Sequence, residues 1–139
     1  MPRRRPGALR ASPRVIIFKH RRLRRLSPRT TAAIHSLRRR LAGNPDIPAA
    51  YEMWRELAHR KGRSAIYPGS LGATDCPCCA LFTEHPRDIL ERALHRLPEG
   101  AARELRVEVN RLDERIEART VPDPFAPPGP WWRRWQELP

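Results

Sequence analysis

The first forty residues carry fourteen basic side chains and no carboxylate, and this segregation of charge bounds what the chain can fold into. The other fourteen basic residues and all 15 Asp+Glu follow residue 40, so the formal charge of +13 divides into +14 before that point and −1 after it. Like charges strung along one stretch repel each other and resist burial. The sequence therefore reads as a near-neutral body joined to a polycationic arm, and 139 residues leave room for one domain. Such an arm needs a polyanion to offset its self-repulsion. Nucleic acid, DNA or RNA, is the commonest, because neutralising phosphates releases condensed counterions. A second reading stands beside it: all the basic residues except Lys19 and Lys61 are Arg and 16 residues are Pro, the codon usage of a GC-rich genome, and the arm would then be inert or the product of a gene start set too early.

Residues 1–26 mix Arg and Pro without apolar periodicity and are expected to be a disordered basic arm. The run Val15-Ile16-Ile17-Phe18 is far shorter than the ~20 residues of a membrane-spanning helix and too short for a secretory signal. An acid-free, Arg-rich start has the composition of a transit peptide, but Pro2, Pro6 and Pro13 interrupt the amphipathic helix such peptides form.

Beyond the arm, punctuation and spacing predict helices over about 28–42, 47–61, 86–97 and 98–119. Ser27-Pro28 is an N-cap followed by proline at the first helical position, Ile34, Leu37 and Leu41 mark one face, and Gly43 supplies the stop. Asp46 caps the second segment, in which Ile47, Tyr51, Trp54 and Ala58 fall at helical spacing, so Trp54 reads as core. Gly62 should end it. Residues 63–85 read as a cysteine-bearing loop. Pro98-Glu99-Gly100 joins the last two helices by so short a turn that they should pack antiparallel, and Leu105, Val109, Leu112 and Ile116 form a heptad-like seam on the longer one. Five prolines between Val121 and Pro130 make residues 121–139 a Pro/Trp-rich tail that is not helical before Trp131. The expected fold class is all-α: a small bundle of three to four helices with the body spanning 27–120.

Three constellations are candidates for chemistry. Cys76-Pro77-Cys78-Cys79 contains a C-x-x-C pair, with His85 six residues beyond. Two thiolates so spaced converge on one zinc ion, which makes Cys76, Cys78, Cys79 and His85 a candidate structural zinc site in a body small enough to profit from a staple. Plain thiols and a redox pair are the alternatives, and the missing βαβ frame speaks against the redox pair. Three clustered cysteines with no even framework point to a reducing cytoplasm. Arg21, Arg22, Arg24 and Arg25, followed one helix later by Arg38, Arg39 and Arg40, form the candidate phosphate-binding set, since guanidinium forks match phosphate oxygens bidentately. Nothing specifies which bases they would read, so binding would be sequence-tolerant. Trp131, Trp132 and Trp135 are costly to leave exposed. They fold back on the helical hairpin, dock on a protein partner, or meet a membrane surface. No G-x-S-x-G, phosphate loop, H-E-x-x-H or paired-carboxylate signature is present, and the chain does not read as an enzyme.

From Leu94 onward the sequence resembles a group of small actinobacterial proteins of no known function. Leu97-Pro98, Ala102-Arg103-Glu104-Leu105-Arg106, Leu112-Asp113, Ala118-Arg119-Thr120-Val121-Pro122-Asp123-Pro124 and Pro130-Trp131-Trp132 carry the likeness. It covers roughly a third of the chain. The resemblance implies a bacterial cytoplasmic origin and a helical hairpin with a Trp-bearing tail, and no activity. The sequence thus points to a small binding protein that associates with nucleic acid through its arm. The alternative is a protein–protein interaction module, or homodimer, that uses the helical seam and the Trp tail while the arm is inert.

Overall fold

In the computed structural model, residues 22–60 and 84–137 are described. Four α-helices account for most of them: α1 (Pro28–Arg40), α2 (Ile47–His59), α3 (Pro86–Arg96) and α4 (Glu99–Glu117). The fold is all-α, as the spacing of apolar residues predicts.

Each helix begins where its cap dictates. Ser27 accepts from the Thr30 amide at 3.2 Å, Asp46 accepts from that of Ala49 at 3.0 Å, and proline follows each cap at the first or second helical position. His85 opens α3 with an unusual cap, its Nδ1 accepting from the Arg87 N–H at 3.2 Å. Leu41 breaks α1 in extended conformation, and Gly43 (φ 78°) with Asn44 (φ 43°) then turns the chain through the left-handed region that glycine enters without strain.

The seam predicted on α4 is the spine of the core: Leu105, Val109, Leu112 and Ile116 are buried together with Ile34 and Leu37 of α1, Tyr51 and Trp54 of α2, and Ile89, Leu90 and Ala93 of α3. Only Leu97 and Pro98 separate α3 from α4. Arg87, at the start of α3, meets Asp113, late in α4, so the pair is antiparallel. Contacts from Trp54 to Asp113 and from Arg119 to the Arg60 carbonyl advance in the same sense along α2 and α4, which run parallel.

Two segments depart from expectation. Residues 22–26 belong to the body rather than to a disordered arm. Leu23 and Leu26 are buried in the core, the Leu26 N–H donates to the Leu23 carbonyl at 3.2 Å, and the Tyr51 hydroxyl donates to the Arg24 carbonyl at 2.8 Å. Two leucines three positions apart gain enough by burial to order the turn between them, which Arg25 completes at φ 66°. The remainder of the arm, residues 1–21, lies outside the described residues. The tail, as expected, is not helical before Trp131, but it forms a short antiparallel ladder that the sequence analysis missed. Strand β1 (Thr120–Pro122) pairs with β2 (Trp135–Glu137) in the register Thr120↔Glu137, Val121↔Gln136, Pro122↔Trp135. Its last rung is extended by the Asp123 N–H donating to the Arg134 carbonyl at 2.7 Å. Pro122 ends β1, and the other prolines before Trp131 sit in the connecting loop, where no ladder amide is needed.

Candidate functional site

The described candidate phosphate-binding arginines fall at the two ends of α1, Arg22, Arg24 and Arg25 before its start and Arg38, Arg39 and Arg40 in its last turn. Leu23 and Leu26 point into the core, which turns Arg22, Arg24 and Arg25 outward, and all three are exposed. Arg22 Nε donates to the Leu26 carbonyl at 3.5 Å. Burial, with the nearby carboxylates Glu108 and Glu52, pushes the Tyr51 hydroxyl up to about 12, so it remains a neutral donor to the Arg24 carbonyl and pins this turn. One helix later, Arg39 and Arg40 are exposed at the end of α1, and Arg38 forms an ion pair with Asp46 at 3.1 Å. Arg21 lies outside the described residues.

Pairing separates these arginines from most of those in the body. Arg55, Arg60, Arg87, Arg92, Arg103, Arg111 and Arg133 each face a carboxylate within ion-pairing distance. Of the described arginines before residue 41, Arg38 alone does so. No carboxylate among the described residues pairs with Arg24, Arg25, Arg39 or Arg40.

α1 itself is fixed by a contact the sequence analysis missed. In a capping box, a Glu at the third helical position accepts from the cap residue's own N–H. Thr30 occupies that position, and the carboxylate comes from α4 instead. Glu104 accepts from the Ser27 N–H at 2.6 Å, from the Ser27 hydroxyl at 2.8 Å and from the Thr30 hydroxyl. Burial raises its pKa, but these bonds outweigh that and hold it below the ordinary Glu range.

The candidate zinc ligands are not brought together among the described residues. Cys76, Cys78 and Cys79 lie outside them. His85 is buried with its Nδ1 engaged as the cap of α3, and its ring stands edge-on to Trp54 with centroids 5.6 Å apart. Among the described residues no group of three or more His, Cys, Asp or Glu side chains could hold a metal ion. The site that His85 joins is aromatic.

The tryptophans fold back. Trp135 is 3% exposed, and Trp131 and Trp132 are half-buried against the core. Trp131 lies 6.4 Å from Trp54 and 6.0 Å from Trp132, centroid to centroid. Trp132 donates its indole N–H to Asp88 Oδ1 at 2.8 Å, and Arg133 reaches the other oxygen of the same carboxylate. Desolvation raises the Asp88 pKa, but these two bonds prevail and lower it. The Arg87 guanidinium lies 4.4 Å from the Trp132 ring centroid. The indoles, expected to be costly when exposed, find their cover within the chain. The α4 seam is likewise internal core.

Beneath the tail is a buried polar cluster that sequence reasoning also missed. Arg87, 5% exposed, grips Asp113 through Nε at 3.1 and 3.2 Å and Nη2 at 3.1 Å, and reaches Glu91 at 2.7 Å. Asp113 shares the apolar face of α4, four positions after Val109 and three before Ile116, and that position was the available signal. Arg119 closes the end of α2 by donating to the Arg60 carbonyl at 2.7 Å and the Leu57 carbonyl at 3.5 Å. It takes the capping role the sequence assigns to Gly62, which lies outside the described residues.

Comparison with family models, curated proteins and solved structures finds no match. None of the helices is long and apolar enough to cross a membrane among the described residues.

Proposed function

We propose that this protein is a nucleic-acid-associating accessory protein of the bacterial cytoplasm, which grips phosphates without sequence preference through its Arg-rich N-terminal stretch and α1. One observation carries the reading: Arg24, Arg25, Arg39 and Arg40 are exposed and without carboxylate partners among the described residues, on a turn and helix anchored to the core. Most body arginines, by contrast, are neutralised locally. Guanidinium groups carried on a fixed backbone keep their charge for phosphate and leave little backbone freedom to lose on binding. The resemblance to small actinobacterial proteins supports the cytoplasmic setting.

The test must leave α1 in place, because Leu23, Leu26, Ile34 and Leu37 are core and deleting residues 1–40 would unfold the body. The variant R24Q/R25Q/R39Q/R40Q is compared with the parent for binding to an arbitrary duplex DNA and an arbitrary RNA over a range of salt. Each lost phosphate contact lowers the slope of log K against log salt by about 0.9 for duplex DNA, so a drop of up to about 3.6 is expected. Unchanged affinity and slope in the folded variant would overturn the reading.

A further inference from the structure

A groove of about 490 Å³ lies between the end of α4 and the folded-back tail. Val121, Pro122, Trp131 and Trp135 give it an apolar, largely aromatic wall, and Glu117 and Arg134 stand exposed at its rim. The Arg134 guanidinium has no carboxylate partner among the described residues. Trp135, almost wholly buried, carries an indole N–H with no acceptor among the described residues. An unsatisfied buried donor is costly, and an incoming acceptor would relieve it.

These features match one ligand chemistry. A flat ring with acceptors and donors on its edge can lie against an indole, and Glu117 can accept from an exocyclic amine. A phosphate attached to that ring suits Arg134. An aliphatic ligand would fill the wall but leave the guanidinium, the carboxylate and the orphan N–H unused. We propose that this groove receives one unpaired nucleobase of a single-stranded nucleic acid, stacked on Trp131, with its phosphate at Arg134. The proposal rests on the nucleic-acid reading above and deepens it by naming the form bound. A duplex keeps its bases stacked inside and cannot deliver one here without unpairing it. Stacking is tolerant of base identity, so the groove adds strand selectivity without sequence selectivity.

The test uses the full chain, a short single-stranded oligouridylate and a duplex of equal length, at one moderate salt concentration. The single strand should quench tryptophan fluorescence and the duplex should not. R134Q should weaken single-strand binding about tenfold, while duplex binding, carried by many other arginines, changes by less than about twofold. W131L, in which a half-buried ring is replaced by an apolar side chain, should abolish the quench. Binding of both forms without a quench, or equal weakening of both by R134Q, overturns the groove proposal and leaves the arm reading standing. Absence of binding to either form overturns both.

Discussion

The Trp54 indole donates to Asp113 at 2.8 Å across 59 positions of sequence, and both residues are buried. The same carboxylate is gripped by Arg87, so one acidic side chain ties α2, α3 and α4 together. Burial pushes the Asp113 carboxyl above the ordinary Asp range, opposed by the charge of Arg87 and the bonds from Trp54 and Arg87. A charge in that position is tolerable only while its partners are present.

Truncation of Asp113 should therefore be among the most damaging single changes. D113A leaves the Arg87 guanidinium with Glu91 alone and strands the Trp54 N–H, with an expected loss of about 3 kcal/mol in urea unfolding. D113N keeps an acceptor and should lose less. The double variant R87M/D113L should recover much of the stability, because an apolar pair replaces a buried ion pair at little net cost. If D113A unfolds at the parental urea midpoint, the cluster is not a structural keystone.

The Asp88 carboxylate latches the tail to α3, beside the Arg87 guanidinium that lies over the Trp132 ring. Asp88 receives both the Trp132 N–H and the Arg133 guanidinium, so D88A should release the last turn while the four helices stay folded. Losing two bonds to a partly exposed charged group predicts a cost of about 1–3 kcal/mol. Tryptophan emission should shift to the red, and limited proteolysis should cleave between residues 122 and 135 faster than in the parent. Parental emission and cleavage rates in D88A would show that the tail is held by other contacts.

Capping of α1 across the helix interface yields a separate expectation. E104Q keeps the shape but removes the charge that three donors share, and E104A removes the acceptor altogether. Loss of a cap costs about 1–2 kcal/mol. Because α1 carries the arm, its fraying should also reduce affinity for nucleic acid. Hydrogen exchange at the Thr30 and Thr31 amides is the direct measure, and protection equal to the parent in E104A would contradict the contact's role.

Periodicity and capping exposed the helical architecture in the sequence because both act within a few residues. Ser27, Asp46 and the stripe from Leu105 to Ile116 each fix local geometry without help from afar, and the predicted helix ends differ from those observed by no more than about two residues. Pairings across the fold had no such local sign. Glu104 looks like a solvent-facing helix residue until α1 is placed against it, and Arg87 resembles an ordinary first-turn cation until Trp132 covers it. Leu23 and Leu26 were hidden by the arginines around them, although their spacing of three is that of a buried turn. The folded-back tail was partly legible, since three clustered indoles demand cover, but the ladder that positions them required knowing that Val121 lies beside Gln136. As for the candidate sites, the arginines could be read from charge alone. The groove beside Trp135 could not, because its two walls come from segments separated by a proline loop.

His85 gives the protein a pH dependence with a definite sign. Burial, the largest influence, lowers its pKa to about 4; Asp88 pulls it upward, and Arg133 and Arg87 add to the lowering. The unfolded chain binds a proton near pH 6.5 that the folded chain refuses until about pH 4. The stabilisation from a neutral His85 is therefore complete above pH 6.5 and is lost as pH falls toward 4, by about 3 kcal/mol over the window. Asp88, Glu91 and Glu104, all held below their ordinary values, begin to lose their stabilisation only in more acidic solution, whereas Asp113, held above its ordinary value, opposes the fall, so the comparison with a variant at His85 is what isolates the imidazole. H85N retains an N-cap acceptor for the Arg87 N–H and has no proton to gain. Urea midpoints measured at about pH 7 and about pH 5 should fall in the parent and hold nearly level in H85N. An equal fall in both proteins would place the dependence on other groups.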